Sequence, residues 1–207
     1  MSLNLKEVGS NLNSISTDKI KYNVARIITV SEVEGPFKRM AIWFQGCDIG
    51  CLGCCNPELQ LFIIANIMTF EQILNLILDT KEKHGIEGVT FCGGEPSLQH
   101  NLHVLGLKLR ELNIGTIMFS GKYIEQLPKA LIESMDMILD GPFILSKLEK
   151  ERRLLGSTNQ RIINITDRYK NHVNWFYDKK EMIQEINMSD ALYFNGDALV
   201  DNSKKRF

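Results

Sequence analysis

Four short apolar runs in this chain each end in a turn whose residues an ordinary surface loop has no need of. Residues 40–44 lead into Gly46-Cys47-Asp48-Ile49-Gly50-Cys51-Leu52-Gly53-Cys54. Residues 89–92 lead into Gly93-Gly94-Glu95-Pro96, residues 116–119 into Ser120-Gly121-Lys122, and residues 137–139 into Asp140-Gly141-Pro142. Helical periodicity separates the runs. Strand–helix alternation implies a parallel sheet with right-handed crossovers. In such a sheet the carboxyl ends of all the strands lie along one edge, which is where ligands bind. The four turns are therefore expected on one rim.

The remaining pattern fills in an α/β fold. Residues 24–30 read as a strand ahead of the first run, and Glu34-Gly35-Pro36-Phe37 reads as a turn. The spacing of Phe70, Ile73, Leu74, Ile77 and Leu78 predicts a helix over 69–84, with Thr69 and Gln72 as a capping box and Gly85 as its stop. Further helices are expected over 98–112 and 144–154, the latter strongly charged, and over 123–133 with a break near Pro128. Residues 162–165 suggest another strand, and Asn195-Gly196 within 191–200 suggests a closing hairpin. At 207 residues the chain is shorter than a complete eight-unit barrel, which takes about 250. The expected architecture is an incomplete, open TIM-like barrel of about five or six parallel β/α units with a C-terminal extension. Residues 1–20 are expected to be a flexible lead-in, 21–165 the partial-barrel domain, and 166–207 an extension packing on that domain, with a flexible tail at Lys204-Lys205-Arg206.

Cysteine usage narrows the chemistry. There are five cysteines, and four of them crowd between Cys47 and Cys55, which is not a disulfide framework. Three thiolates at C-x-x-x-C-x-x-C spacing can hold three corners of an iron–sulfur cube and leave the fourth iron open, whereas electron-transfer clusters are closed by four cysteines. Zinc is the alternative, but it wants four ligands, commonly in paired C-x-x-C units. Cys55 is an awkward chelate next to Cys54, and His84, His100 and His103 lack ligand spacing. Cys55 and Cys92 are read as packing residues; a ligating Cys55 would close the site. The net charge of −1 gives no sign of nucleic acid or an anionic membrane as partner. No apolar run is long enough to span a bilayer, and the first residues lack the apolar stretch of a signal peptide, so the expected location is the cytoplasm.

With the cysteine motif and the Gly-Gly-Glu-Pro turn in that order, the chain resembles the radical S-adenosylmethionine superfamily. Within it, the closest likeness is to the activating proteins of anaerobic ribonucleotide reductase. Gly53-Cys54-Cys55-Asn56-Pro57, the stretch from Phe119 to Leu127, Asp136-Met137-Ile138-Leu139-Asp140-Gly141-Pro142-Phe143 and Gly156-Ser157-Thr158-Asn159-Gln160-Arg161 carry that likeness. Cys55 stands where the family has an aromatic residue, Leu155 where it has arginine, and Phe37 where its Gly-Pro-Gly turn ends.

The resemblance implies a [4Fe–4S] cluster on Cys47, Cys51 and Cys54, with S-adenosylmethionine on its open iron. Reductive cleavage would give a 5′-deoxyadenosyl radical that takes a hydrogen atom from the substrate. It implies that Gly93, Gly94 and Glu95 hold the ligand's amino group and that Pro96 stiffens the turn. Ser120 would reach its carboxylate or ribose, with Asp140, Asn159 and Gln160 further along the cavity. The implied substrate is a glycine of a partner glycyl radical enzyme, anaerobic ribonucleoside-triphosphate reductase, and the implied electron donor is a flavodoxin or ferredoxin. Two other readings stay open: a radical enzyme acting on a peptide or a small heterocycle, as 7-carboxy-7-deazaguanine synthase does, and a non-enzymatic metal-binding module.

Overall fold

The structure is a computed structural model and describes residues 16–178, 184–188 and 192–196. Its strands are β1 (Lys21–Ser31), β2 (Arg39–Phe44), β3 (Asn66–Thr69), β4 (Gly88–Gly93), β5 (Gly115–Ser120), β6 (Met137–Asp140), β7 (Arg161–Asn164), β8 (Gln184–Met188) and β9 (Leu192–Gly196). The helices are α1 (Phe70–His84), α2 (Leu102–Glu111) and two short ones, α3 (Lys129–Glu133) and α4 (Asn174–Tyr177).

Seven strands form one sheet in the order β3-β1-β2-β4-β5-β6-β7. Only β2, β4, β5 and β6 run parallel; β1, β3 and β7 join antiparallel. The sheet is therefore mixed, not a row of five or six parallel units. The parallel strands read as near-continuous apolar runs because both faces are covered. Successive side chains point to opposite faces. Ile42, Phe44, Phe91, Met118 and Ile138 pack with Ile73 and Ile77 of α1 and Leu105 and Leu109 of α2. On the other face, Ala41, Trp43 and Cys92 pack with Ile28 and Leu59. Next to them Ile117, Met137 and Leu139 pack with Tyr169 and Phe176 from the chain beyond β7.

Helix α1 follows its sequence closely. Thr69 accepts from the Gln72 N–H, Gln72 returns the bond, and Gly85 ends the helix in the left-handed region. Three expectations need correction. The helix expected over 98–112 starts at Leu102, because Pro96–Leu98 form a separate 3-10 turn and Asn101 has φ 61°. The charged helix expected over 144–154 is a 3-10 turn, Leu145–Lys147, followed by bends. There Glu149 accepts the N–H groups of Lys150, Glu151 and Arg152, and Thr158 N–H bonds Lys147 C=O across the loop, so the segment's bonds do not run along a helix. The hairpin near the end is β8–β9, but Asn195 and Gly196 lie within β9, paired with Glu185 and Gln184. The expected turn at Asn195-Gly196 is thus a strand end. Strand β3 had no alternation to announce it, since Asn66 and Ile67 are both exposed.

At the amino ends of the parallel strands sits a buried polar lock. Arg39 is fully buried and donates to Thr90 Oγ1, Pro36 C=O, Val89 C=O, Glu87 and the Tyr169 hydroxyl. Tyr169 in turn donates to Glu87, and Arg168 pairs with its other oxygen. This ties the start of the C-terminal segment to β2 and β4. Among the described residues, no helix is long and apolar enough to cross a membrane.

Candidate functional site

All four unusual turns lie at the carboxyl ends of four neighbouring parallel strands, as the sequence predicts. The cysteine loop leaves β2 and folds back beside its own start. Gly46 N–H bonds Leu59 C=O, Cys47 N–H bonds Gln60 C=O, and the Gln45 side chain holds the carbonyls of Glu58 and Leu61. Each of Cys47, Cys51 and Cys54 follows a glycine with positive φ (Gly46 97°, Gly50 65°, Gly53 76°). Those three reversals bend the chain so that thiols three and four residues apart can face one place. All three cysteines are free and half-buried.

Backbone N–H groups surround the sulfurs. Burial pushes the Cys47 thiol up, opposed by the N–H groups of Ile49 and Gly50. Burial also raises Cys51, opposed by the N–H of Phe143 from the loop after β6. Cys54 is pulled down to about 6, first by a hydrogen bond from the Cys55 thiol, then, against its burial, by the Asn56 N–H and the Gln60 side chain. Cys55 is correspondingly raised by that same bond. A soft all-thiol donor set ringed by N–H donors fits an iron–sulfur cluster, whose potential such bonds tune. Among the described residues, no three His, Cys, Asp or Glu side chains converge closely enough to chelate one metal ion.

The Gly-Gly-Glu-Pro turn is stitched directly to this loop. Gly94 N–H bonds Phe44 C=O and Glu95 N–H bonds Gly46 C=O, each at 2.8 Å. A Cβ on Gly94 would collide with the Gly46 carbonyl, so the glycine is required by a backbone crossing. Glu95 is fully buried. Its carboxylate accepts from Ser97 N–H (3.0 Å), Ser120 Oγ (2.9 Å) and Gly121 N–H (2.8 Å). Glu95 is thus a brace joining the turn after β4 to the loop after β5, and its charge is felt by Cys47 and Cys51. Pro96 is buried and opens the 3-10 turn.

Ser120 donates to Glu95 and accepts from Lys122 N–H, so its hydroxyl is committed within the protein. Lys122 Nζ reaches Asp48 of the cysteine loop at 2.9 Å, and Gly121 lies against Ile49. Asp140 is fully buried; it accepts from Ile124 N–H and from both arms of Arg161, which also pairs with Glu125. Asn159 donates to Pro142 C=O at 2.8 Å, leaving a buried Oδ1 with no partner. Gln160 holds the Gly141 carbonyl and accepts from Gly156 and Ser157. The structure brings the cysteines, Gly93, Gly94, Glu95, Pro96 and Ser120 into one bonded unit, with Asp140 and Asn159 one strand further along. Sequence reasoning assigned no role to three contributors: Lys122, whose pairing with Asp48 links two distant loops, Phe143, whose backbone serves Cys51, and Arg161, which occupies Asp140. A lysine directly after Ser-Gly at a strand end was the available signal for the first; a backbone donor leaves none.

Comparison with known proteins gives the family. Residues 33–163 match the family described as a 4Fe-4S single cluster domain. The chain belongs to that family, a domain of the radical S-adenosylmethionine type built around one [4Fe–4S] cluster. It is 36% identical over 77 residues to a putative glycyl-radical enzyme activating enzyme of Haemophilus influenzae, covering 36% of this chain and 29% of that one. It is 32% identical over 111 residues to the pyruvate formate-lyase-activating enzyme of Clostridium pasteurianum, covering 52% and 46%. The chain therefore spans less than half the length of these two relatives. It is 26% identical to the anaerobic ribonucleoside-triphosphate reductase-activating protein of Haemophilus influenzae, over 63% of this chain and 90% of that one. Among solved structures, QueE from Escherichia coli aligns with TM-score 0.41 and 15% identity over 58% of this chain and 71% of that one.

Proposed function

We propose that this protein is a glycyl radical enzyme activase, with anaerobic ribonucleoside-triphosphate reductase as its partner and a low-potential flavodoxin or ferredoxin as its electron donor. The observation that carries the reading is the direct stitching of the three-thiol loop to the Gly-Gly-Glu-Pro turn at the carboxyl rim of a parallel sheet. Similarity to activating proteins of two glycyl radical systems supports it. The reductase partner is favoured because that relative is matched over 90% of its length. The inward curl of an open barrel belongs to the same reading.

Cys47, Cys51 and Cys54 are the residues to hold the cluster, and the N–H groups of Ile49, Gly50, Phe143 and Asn56 stabilise their thiolates. When bound, the cluster and S-adenosylmethionine supply the one-electron chemistry that takes a hydrogen atom from the substrate. The carbonyls of the half-buried glycine turn would accept the ligand's ammonium. Glu95 fixes that turn against the neighbouring loop by its three bonds, which keeps the acceptor geometry rigid. The Lys122–Asp48 pair holds the cysteine loop against the same framework. Asp140 and Arg161 form the far wall, where the orphan oxygen of Asn159 offers an acceptor.

The test uses anaerobically reconstituted protein, a reductant and S-adenosylmethionine. Chromatography should show 5′-deoxyadenosine and methionine, and addition of the reductase should give a glycine-centred doublet by electron spin resonance. Cys51→Ala should lose the cluster absorbance while Cys55→Ala keeps it. Colourless protein with stoichiometric zinc would reject the reading.

A further inference from the structure

Immediately after the cysteine loop the chain turns apolar side chains outward. Leu61, Phe62, Ile63 and Ile64 are each more than half exposed, Phe62 at 73% and Ile64 at 80%, and Ile67 follows in β3. Residues 59–70 contain no charge at all. This exposure is built in. Asn23 grips the segment from both sides, its Nδ2 donating to Ile63 C=O at 2.7 Å and its Oδ1 accepting from Ala65 N–H at 2.9 Å. Gln45 holds the Leu61 carbonyl at 2.7 Å. The Phe62 ring lies against Gly46, the residue before Cys47, so the ridge ends at the thiol loop. With Leu52 of that loop it leaves on the order of 800 Å² of apolar surface in water, one partner's share of a standard protein interface. Monomers seldom leave patches that large uncovered. Among the described residues, β3 is the sheet's edge and has a strand neighbour on one side only. The Thr69 N–H on that edge is taken by Gln72 of the capping box, which leaves the outer N–H and C=O of Ile67 available for pairing.

We propose that this ridge seats the protein substrate: an extended, uncharged apolar segment of the partner lies along residues 61–67, pairs with the free edge of β3, and delivers its reactive glycine to the thiol loop. The inference rests on the activase reading above. The matching area argues for a macromolecule, since a small heterocycle could not cover it. The absence of charge along the ridge argues for an uncharged strand, recognised by main-chain pairing and apolar side chains.

The test measures binding of the cluster-loaded protein to immobilised full-length anaerobic ribonucleoside-triphosphate reductase, and to pyruvate formate-lyase from the same cell. Ile64→Glu and, separately, Ile67→Glu should each weaken binding at least tenfold and cut the glycine doublet to match, while Ile64→Val stays within twofold of the parent. Cluster absorbance and the melting temperature check that each variant is loaded and folded. Glutamate variants that bind and activate like the parent would overturn the ridge alone. So would a parent that self-associates in sedimentation through this ridge and binds the reductase equally well without it, for then a second copy is the occupant. A parent that neither binds nor gives a doublet with either partner would defeat the activase reading and the ridge together.

Discussion

Glu95 shows how one residue can be read correctly in place and incompletely in role. Its position in the Gly-Gly-Glu-Pro turn is plain from sequence, but a carboxylate at a rim looks equally suited to a ligand or to a brace. The structure supplies three protein donors to its two oxygens and no solvent. Removing the acceptor strands buried donors, each costing about 1–3 kcal/mol. Glu95→Ala should therefore lower unfolding stability by about 3 kcal/mol, measured by urea titration of the cluster-free protein. Glu95→Gln is the sharper variant. Its oxygen can serve Ser97 and Ser120, but its amide nitrogen then faces the Gly121 N–H, donor against donor. It should cost about 1–2 kcal/mol and slow cluster loading, followed by visible absorbance. A Gln variant as stable as the parent would mean the Gly121 bond contributes nothing.

The elements that were legible are those whose signal is local. Helix α1 could be read to its caps because Thr69, Gln72 and Gly85 act through their own neighbours. Thr69→Ala should cost about 1 kcal/mol in the same titration without altering cluster absorbance. The four parallel strands were legible because burial on both faces leaves an unbroken apolar run. What failed to show was decided by distant partners. Strand β7 runs antiparallel and sets Arg161 opposite Asp140, its register partner on β6, a contact spanning 21 residues of sequence. The segment over 144–154 has the charge spacing of a helix, yet Glu149 caps its own following N–H groups and Arg152 reaches the carbonyls of Thr158 and Gln160. Those bonds give the backbone an alternative to the helix. Strand β3 is only four residues long, with Ile67 exposed and only Met68 packed on the core, so periodicity could not find it. The site itself was legible because its components sit at strand ends; what joins them, Lys122 to Asp48 and Glu95 to Gly121, was not.

Across the whole molecule the two ends of the parallel strands are built on different principles. The carboxyl rim holds glycines, thiols and a vacant acceptor on Asn159, while the opposite end is closed by the lock of Arg39, Glu87, Tyr169 and Arg168. Each polar group there is partnered across long stretches of chain, 130 residues between Arg39 and Tyr169. The lock fixes the sheet from below, while at the rim Glu95 and the Lys122–Asp48 pair brace the loops that carry the site. Its pH dependence follows from Glu87. Burial alone would raise its carboxyl, but the Tyr169 hydroxyl and the guanidinium groups of Arg39 and Arg168 together hold it below its usual 4.5. A carboxylate lowered in the folded state contributes stability that is fully present above its unfolded value and is lost as the pH falls through the folded one. The parent should therefore lose stability as the pH drops below about 4.5. Glu87→Gln should start about 1–2 kcal/mol lower at pH 7, a modest figure because 26% of the Glu87 side chain reaches water, and then decline less steeply. Urea midpoints of both proteins from pH 7 to pH 3 should converge as the acid limit is approached. Curves that stay parallel over that range would show that Glu87 titrates alike folded and unfolded, and that the lock is held by its hydrogen bonds and packing without help from its charge.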